Sequence, residues 1–345
     1  MLRSKVTLKM IAELSGVSRG TVHRVVNNKG KVKASVARKV QEIAQSLNYQ
    51  PNLVARSLAT QQFDFKICVI LHIQGNLFFN ALLEGVKNAA DEIADFGVSV
   101  AIKPGLNLDV EQQLGNISAA VEEGFRAIIL IPINDPRIVA RVSELAGKGI
   151  PVILLNNNLE HCDCLGYVGC DHWKSGKLAA GLLRIATGGQ SRIGVVSPPL
   201  AMLGFKQRLQ GLRSALETDH PGMELVAVQE VPSDDELSYS LTRAMFLQHP
   251  NIDSLLYATS GLVGGLQALK DLGLYGTIRT IAVDQTAPIV DAILDGGILA
   301  TICHEPEQQG YAAVKMASGF LISKTVPEKK NWLVDPTIRI RESYQ

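Results

Sequence analysis

Two guanidinium groups, Arg19 and Arg24, stand five residues apart among the short hydroxyls Ser18 and Thr21, with Gly20 and His23 between them. An arginine fork donates paired hydrogen bonds to a flat acceptor edge such as guanine O6/N7, and small hydroxyls suit phosphate oxygens. A second set is scattered along the chain: Asn76, Phe78, Phe79, Asn156, Asn157, Lys206, Arg208, Ser260, Asp284 and His304. Amides, one carboxylate, basic groups and aromatic faces are the means by which a pocket orients a small polar ligand. A third set, His161-Cys162-Asp163-Cys164 followed by Cys170-Asp171-His172, has the residue types of a metal site. Its spacing lacks the paired Cys-x-x-Cys arms of a zinc centre, so isolated reduced thiols are expected and no metal or cofactor. Nucleophile-elbow, Walker and His-Glu-x-x-His patterns are absent from the sequence. The glycines of Gly261-Leu262-Val263-Gly264-Gly265 follow a strand and open a helix, so binding is expected rather than catalysis.

The first set needs short helices to hold it. Thr7 can cap a helix running to Ser15, with Leu8, Ile11, Ala12 and Leu14 on one apolar face and Gly16 as its stop. Ser18 can cap a second helix whose stripe is Val22, Val25 and Val26, which leaves Arg19, Gly20 and His23 outward. A third helix, about Ser35 to Leu47, offers Val36, Val40, Ile43, Ala44 and Leu47 as a cover. Two short helices across a glycine turn make a helix-turn-helix, whose second helix enters the DNA major groove.

Charge agrees with that reading. Up to Thr60 there are eleven Lys or Arg against Glu13 and Glu42, a net +9, so the remainder carries −8 of the overall +1. A basic head on an acidic body points to a bound polyanion at the amino-terminal end. No apolar run is long enough to span a membrane and no export signal opens the sequence, so a cytoplasmic protein is expected, with no membrane partner.

The second set needs strand ends. From Lys66 onward short aliphatic runs alternate with helix-length segments: Ile67 to Leu71, Val98 to Ile102, Ala127 to Ile131, Pro151 to Leu155, then Arg192 to Val196, Ser254 to Ala258, Thr280 to Val283 and Ala300 to Ile302. This is the rhythm of parallel sheets with crossover helices, with enough strands for two sheets. Ligands of such sheets bind beyond the carboxyl ends of the strands, where the second set falls. Leu165 to Gly169 reads as a strand passing from one lobe to the other.

The run Thr7-Leu8, Ile11-Ala12, Gly16-Val17-Ser18, Thr21-Val22 and Arg24-Val25-Val26-Asn27, followed by Leu47-Asn48-Tyr49, Pro51-Asn52 and Ala55-Arg56-Ser57-Leu58, resembles the lactose-repressor/galactose-repressor (LacI/GalR) family in order and spacing. The resemblance implies an α/β protein with a small all-α helix-turn-helix domain and a bilobed domain with two parallel sheets, like type I periplasmic binding proteins. It implies a helix-turn-helix domain at 1–50, a hinge helix at 51–62 that becomes helical on operator DNA, and a ligand-binding and dimerisation domain at 63–345. The lobes are expected at about 63–165 with 302–325, and about 166–301 with 326–340. DNA contacts are then expected from Thr7, Ser18, Arg19, Gly20, Thr21, His23, Arg24, Asn27, Asn52, Ala55 and Arg56, with Leu58 wedged into the minor groove of double-stranded, palindromic operator DNA. His23 stands where the family usually has serine, and Val36-Ala37-Arg38 where a Thr-Arg pair is typical.

In the body, Asn76-Leu77-Phe78-Phe79 is similar to the Asn-Pro-Phe-Phe of ribose-type binders, whose aromatics pack on a sugar face. Asn156 and Asn157 fall where an Asp-Arg pair is common, Ser260 where Asn is usual, Asp284 where Asp is kept, and His304 where Gln is common. The resemblance therefore implies a regulator, most simply a repressor, controlled by a sugar or polyol. A dimer is expected, since no leucine heptads follow Ile340. The alternatives are a solute-binding protein delivering sugar to a membrane partner and a sugar- or nucleoside-processing enzyme on a similar sheet.

Overall fold

The computed structural model describes residues 8–26, 32–46, 65–71, 77–105, 108–231, 234–258 and 261–345, apart from the side chains of Leu8, Lys9, Arg19 and His23. Thr7, Asn27, Asn52, Ala55, Arg56, Leu58, Asn76 and Ser260, and the whole expected hinge at 51–62, lie outside the described residues.

The amino-terminal module consists of α1 (Leu8–Ser15), α2 (Arg19–Val26) and α3 (Ala34–Ser46). Gly16 stops α1 at a φ of 69°, a left-handed conformation that costs glycine nothing. Its amide bonds back to the Ala12 carbonyl at 2.9 Å. Ile11, Ala12, Val22, Val25 and Val40 form the core, covered by half-buried Val17, Val36, Ile43 and Ala44. The expected face of α1 needs one correction: Leu14 is 58 % exposed, and Ser15 is buried in its stead. At 3.6 residues per turn Ser15 lies one turn above Ile11 and shares its stripe, while Leu14 lies to the side. The buried Ser15 hydroxyl is satisfied by donating to the Ile11 carbonyl at 2.6 Å.

The body holds two sheets. In the first, β1 (Phe65–Ile70), β2 (Val98–Lys103), β3 (Ala127–Leu130), β4 (Val152–Asn156), β5 (Gly166–Cys170) and β11 (Asn331–Val334) lie in the order β11-β5-β4-β3-β1-β2, all parallel. In the second, β6 (Ser191–Ser197), β7 (Met223–Glu230), β8 (Ser254–Tyr257), β9 (Arg279–Val283), β10 (Ala300–Cys303) and β12 (Thr337–Ile340) lie in the order β12-β10-β9-β8-β6-β7, with only β12 antiparallel. Alternation along β1 sends Ile67 and Val69 to one core, and Cys68 and Ile70 to the core on the opposite face. Both faces are covered by helices, which is why the strands read as continuous aliphatic runs.

The helices of the first lobe are α4 (Leu77–Ala94), α5 (Val110–Glu122), α6 (Pro136–Gly147) and α12 (Pro306–Ser323). Those of the second are α7 (His172–Thr187), α8 (Leu203–Asp219), α9 (Asp235–Gln248), α10 (Leu262–Asp271) and α11 (Ala287–Leu294). Several start on an aspartate whose carboxylate accepts a backbone N–H of the first turn, as Asp135 does before Pro136 and Asp171 does from the Lys174 amide at 2.9 Å.

The lobe boundaries differ from expectation. β5 does not cross between lobes but pairs with β4, Asn156 opposite Gly169, and with β11, Leu333 opposite Gly169. The chain crosses at Asp171, after β10 at 304–305, and at 335–336. The first lobe is therefore 65–170 with 306–334, and the second 172–303 with 337–344. A strand buried on both faces carries no local mark of which sheet it joins; only its hydrogen-bonded neighbours decide. β7 and β11 escaped the sequence reading because both are edge strands with half-exposed, mixed sequences.

Candidate ligand cleft and nucleic-acid interface

On the small module, Ser18 caps α2: its Oγ accepts the Thr21 amide at 3.2 Å and lies 3.0 Å from the Thr21 hydroxyl. Arg24 is exposed, and its Nε donates to the Gly20 carbonyl at 3.3 Å, so its guanidinium runs along α2. Gly20 is exposed beside it, and a Cβ there would stand 3.8 Å from the Ser18 hydroxyl. Ser18, Gly20, Thr21 and Arg24 thus lie along the amino-terminal half of α2, while its valines face inward. A surface that joins hydroxyls, an exposed backbone and a guanidinium can approach phosphates and base edges without desolvating a carboxylate.

Between the lobes, the strand ends bring polar side chains into one buried cluster. Asn156 closes β4 and Asp284 follows β9, both at positive φ, 60° and 72°. Short Asn and Asp side chains tolerate that left-handed conformation best among non-glycine residues, and it turns each chain sharply as it leaves its sheet. Asp284 accepts from His304 Nδ1 at 2.8 Å, and His304 Nε2 lies 3.1 Å from the Ser175 hydroxyl. Ser175 Oγ also accepts from Arg208 Nε at 3.3 Å, while an Arg208 terminal nitrogen stands 3.3 Å from His172 Nδ1. The chain of contacts continues across the lobes through His172 Nε2 to the Asn156 carbonyl at 3.0 Å and Asn157 Oδ1 to the Gly204 amide at 3.2 Å, and within the first lobe Asn156 Nδ2 donates to Gln309 Oε1 at 3.4 Å. Gln309 Nε2 in turn donates to the His304 carbonyl at 2.6 Å.

The electrostatics follow from burial and pairing. Burial is the largest single influence and opposes the Asp284 carboxylate, but the His304 hydrogen bond and the charges of His304, Arg208 and His172 together outweigh it, so the carboxyl sits below its usual range. Burial likewise opposes a charged His304, yet Cys170 and Asp284 raise it; burial also disfavours the Cys170 thiolate, but His172 and His304 lower it. The Arg208 and Asp284 charges are thus joined through Ser175 and His304, and Cys170 and His304 each favour the charged form of the other. The cluster is electrically balanced by its own side chains.

Asp284, His304 and Ser175 lie in carboxylate–imidazole–hydroxyl order, the order of a nucleophile relay. Ser175 is fully buried and its oxygen carries a guanidinium hydrogen bond, which draws density from the atom that would attack. The hydroxyl serves as a connector. Arg208 is 3 % exposed, yet its Nη1 has no hydrogen-bond partner among the described residues. A buried N–H left unpaired costs about 1–3 kcal/mol, so it marks a place for an acceptor oxygen.

Of the expected ligand residues, Asn156, Asn157, Arg208, Asp284 and His304 come together here. Lys206 is exposed and outside that hydrogen-bonded cluster, but it lines a groove of about 330 Å³ together with Cys170 and His172 of the cluster and with Asn134, Asn158 and Gln210. Phe79 is 8 % exposed within the first-lobe core, and Phe78 packs against that core edge-on to it, centroids 5.5 Å apart. Helical spacing turns Phe79 toward the same stripe as Leu82 and Val86, so its ring is spent on packing. Sequence reasoning missed His172, Ser175 and Gln309. The first two are spaced i, i+3 directly after the capping Asp171, a polar pair on one face of a helix start that could have drawn notice. Gln309 carries no local signal.

Comparison with known proteins agrees with both halves. The profile of the Periplasmic binding protein domain matches residues 67–325, and that of Bacterial regulatory proteins, lacI family, matches residues 7–52. The chain is 26 % identical over 341 residues to the HTH-type transcriptional regulator AglR of Rhizobium meliloti, covering 97 % of this chain and 93 % of that protein. It is 23 % identical over 286 residues to the D-ribose/D-allose-binding protein of Pseudomonas aeruginosa, covering 80 % and 88 %. The fold superposes on the crystal structure of GanP, a glucose-galactose binding protein from Geobacillus stearothermophilus, with a TM-score of 0.75 at 19 % identity, over 82 % of this chain and 99 % of that one.

Proposed function

The chain belongs to the periplasmic-binding-protein domain family and carries a lacI-type regulatory head, and from that premise we propose that it is a sequence-specific DNA-binding transcription regulator, most simply a repressor, set by an uncharged sugar or polyol. The observation that carries the effector reading is the buried cluster itself. Arg208 and Asp284 already neutralise one another through Ser175 and His304, and one buried Arg208 N–H seeks an oxygen. Such a cleft offers donors and acceptors without a net charge to satisfy, which suits hydroxyl groups better than an ion.

In this reading Arg24 and, from the same helix, Arg19 and His23 read base edges, while Ser18, Gly20 and Thr21 take phosphates with Thr7 and Asn27. Two copies bind a palindromic operator, the segment 51–62 orders against the minor groove with Asn52, Ala55, Arg56 and Leu58, and Asn76 and Ser260 complete the effector pocket. Effector binding strengthens the contacts between lobes and so changes operator affinity by favouring one of two states. In the same reading the protein works in the cytoplasm, where its operator DNA lies. The reading as a regulator rather than an enzyme rests on the connector role of Ser175 and on the regulatory head.

The test is a gel shift on the upstream intergenic region of its own gene, with a thermal-shift screen of neutral sugars, polyols, sugar acids and amino acids. The expected result is selective binding over random DNA at physiological salt, altered by a neutral polyhydroxyl compound. Equal binding to both DNAs removes the regulator reading; a hit confined to acids or amino acids removes the effector class.

A further inference from the structure

We propose that a groove between the lobes, outside the buried ligand cluster, is a second binding site that takes one neutral sugar ring. It holds about 330 Å³ and draws its walls from both lobes: Asn134, Asn158 and Asn331 from the first, Trp173, Lys206 and Gln210 from the second. Small-molecule pockets run from roughly 300 to 1,000 Å³, so this one suits a single ring. The groove meets the cluster at Cys170 and His172, but Arg208, Asp284 and His304 are not among its walls. His172 is 5 % exposed, and its two ring nitrogens face the Asn156 carbonyl and Arg208, so the imidazole stands as a partition between the two sites.

Local packing builds the second-lobe wall. α7 and α8 approach backbone to backbone, because a Cβ at Gly176 would strike the Arg208 carbonyl and one at Gly211 the Trp173 carbonyl. That approach sets the first turns of the two helices side by side. On α8, Lys206 and Gln210 are four residues apart and share an exposed face, while Arg208 is buried and turns into the cluster. Trp173 follows His172 at the start of α7. The helical step of about 100° per residue turns its indole outward, 43 % exposed, while His172 stays buried.

The walls select the ligand. A sugar ring has an apolar C–H face and a rim of hydroxyls. Trp173 offers a flat apolar surface to the face, and the exposed amides of Asn134, Gln210 and Asn331 offer donors and acceptors to the rim. Glu160 and Asp171 set two carboxylates against the single ammonium of Lys206, so the groove disfavours an anion. Because both lobes contribute, a ring bound there bridges them and favours the closed arrangement. Linkage then requires this ligand and the effector to tighten one another by the same factor. That coupling rests on the effector reading above; the groove itself does not.

The test uses the full-length protein carrying Trp332→Phe, in which Trp173 is the one tryptophan left, titrated with glucose, galactose, mannose and xylose to high millimolar concentration. Expected is a saturable change in Trp173 fluorescence with at least one of these sugars, kept in Asp284→Ala. Gln210→Ala or Asn134→Ala, both at exposed positions, should weaken it about fivefold, the loss of one hydrogen bond. Glucose 6-phosphate should bind no better than glucose. No saturable change with any of the four sugars would overturn the proposal, as would a response to the phosphate alone. A signal lost in Asp284→Ala but kept in Gln210→Ala and Asn134→Ala would overturn it too, by placing the ring in the buried cluster. A normal groove titration in protein that fails to select operator DNA upholds the groove and removes the regulator reading alone.

Discussion

Gly204→Ala places one methyl group between the two lobes. A Cβ there would stand 2.6 Å from His172 Nε2 and 2.7 Å from Asn157 Oδ1, both well inside contact distance. These are side-chain ends, so they can move, but His172 is 5 % and Asn157 2 % exposed and each is committed to a bond that bridges the lobes. Moving them forfeits His172 to the Asn156 carbonyl and Gly204 to Asn157, each about 1 kcal/mol net, so the closed arrangement loses about 2 kcal/mol relative to an open one. That is a factor of about 30 in the closed-to-open ratio, and an effector that needs the closed state binds up to about 30-fold more weakly, the full factor when the effector-free protein is mostly open. Global stability should hold or rise, because alanine is the better helix former by up to about 1 kcal/mol. Gly181→Ala on α7 is the control: nothing lies within 4 Å of its Cβ. Calorimetric titration with the effector found in the screen gives the affinities, and urea unfolding the stabilities. Gly204→Ala with unchanged effector affinity would refute the view that these two contacts latch the lobes.

Four further outcomes are expected. Arg24→Ala should weaken operator binding by about 1–3 kcal/mol and relax preference at one base position, read by competition with single-base operator variants. Asp284→Ala should remove the effector response while ligand-free operator binding persists, since the head lies outside the cluster; gel shifts with and without effector decide it. Arg208→Met should raise the effector Kd more than tenfold and lower the melting temperature, because removing one partner of a buried charge pair leaves the Asp284 carboxylate uncompensated, at about 3–5 kcal/mol; calorimetric titration and thermal unfolding read the two effects. Val40→Ala, at a fully buried position in the small module, should cost about 2 kcal/mol there and abolish operator binding while the effector-induced thermal shift of the body stays.

The sequence alone determined the features whose causes are local. Gly16 had to end α1 and Ser18 had to start α2, because a left-handed stop and a side-chain cap are properties of single residues and their neighbours. The valine stripe chose the face of α2, and the alternation of aliphatic runs with amphipathic segments announced parallel sheets. Strand ends then nominated Asn156, Asn157, Asp284 and His304, since polar residues following a buried strand have few other uses.

Tertiary structure decided whatever depends on partners remote in the chain. The placement of β11 in the first sheet is set by hydrogen bonds to β5, whose paired residues lie 164 apart (Asn331 opposite Tyr167), a separation no local window of sequence contains. Gln309 reaches Asn156 across 153 residues, and Ser175 reaches His304 across 129. Phe79 and Leu14 show the reverse case: their types suited the roles expected of them, but side-chain direction on a helix is fixed by which face packs, and packing turned each elsewhere.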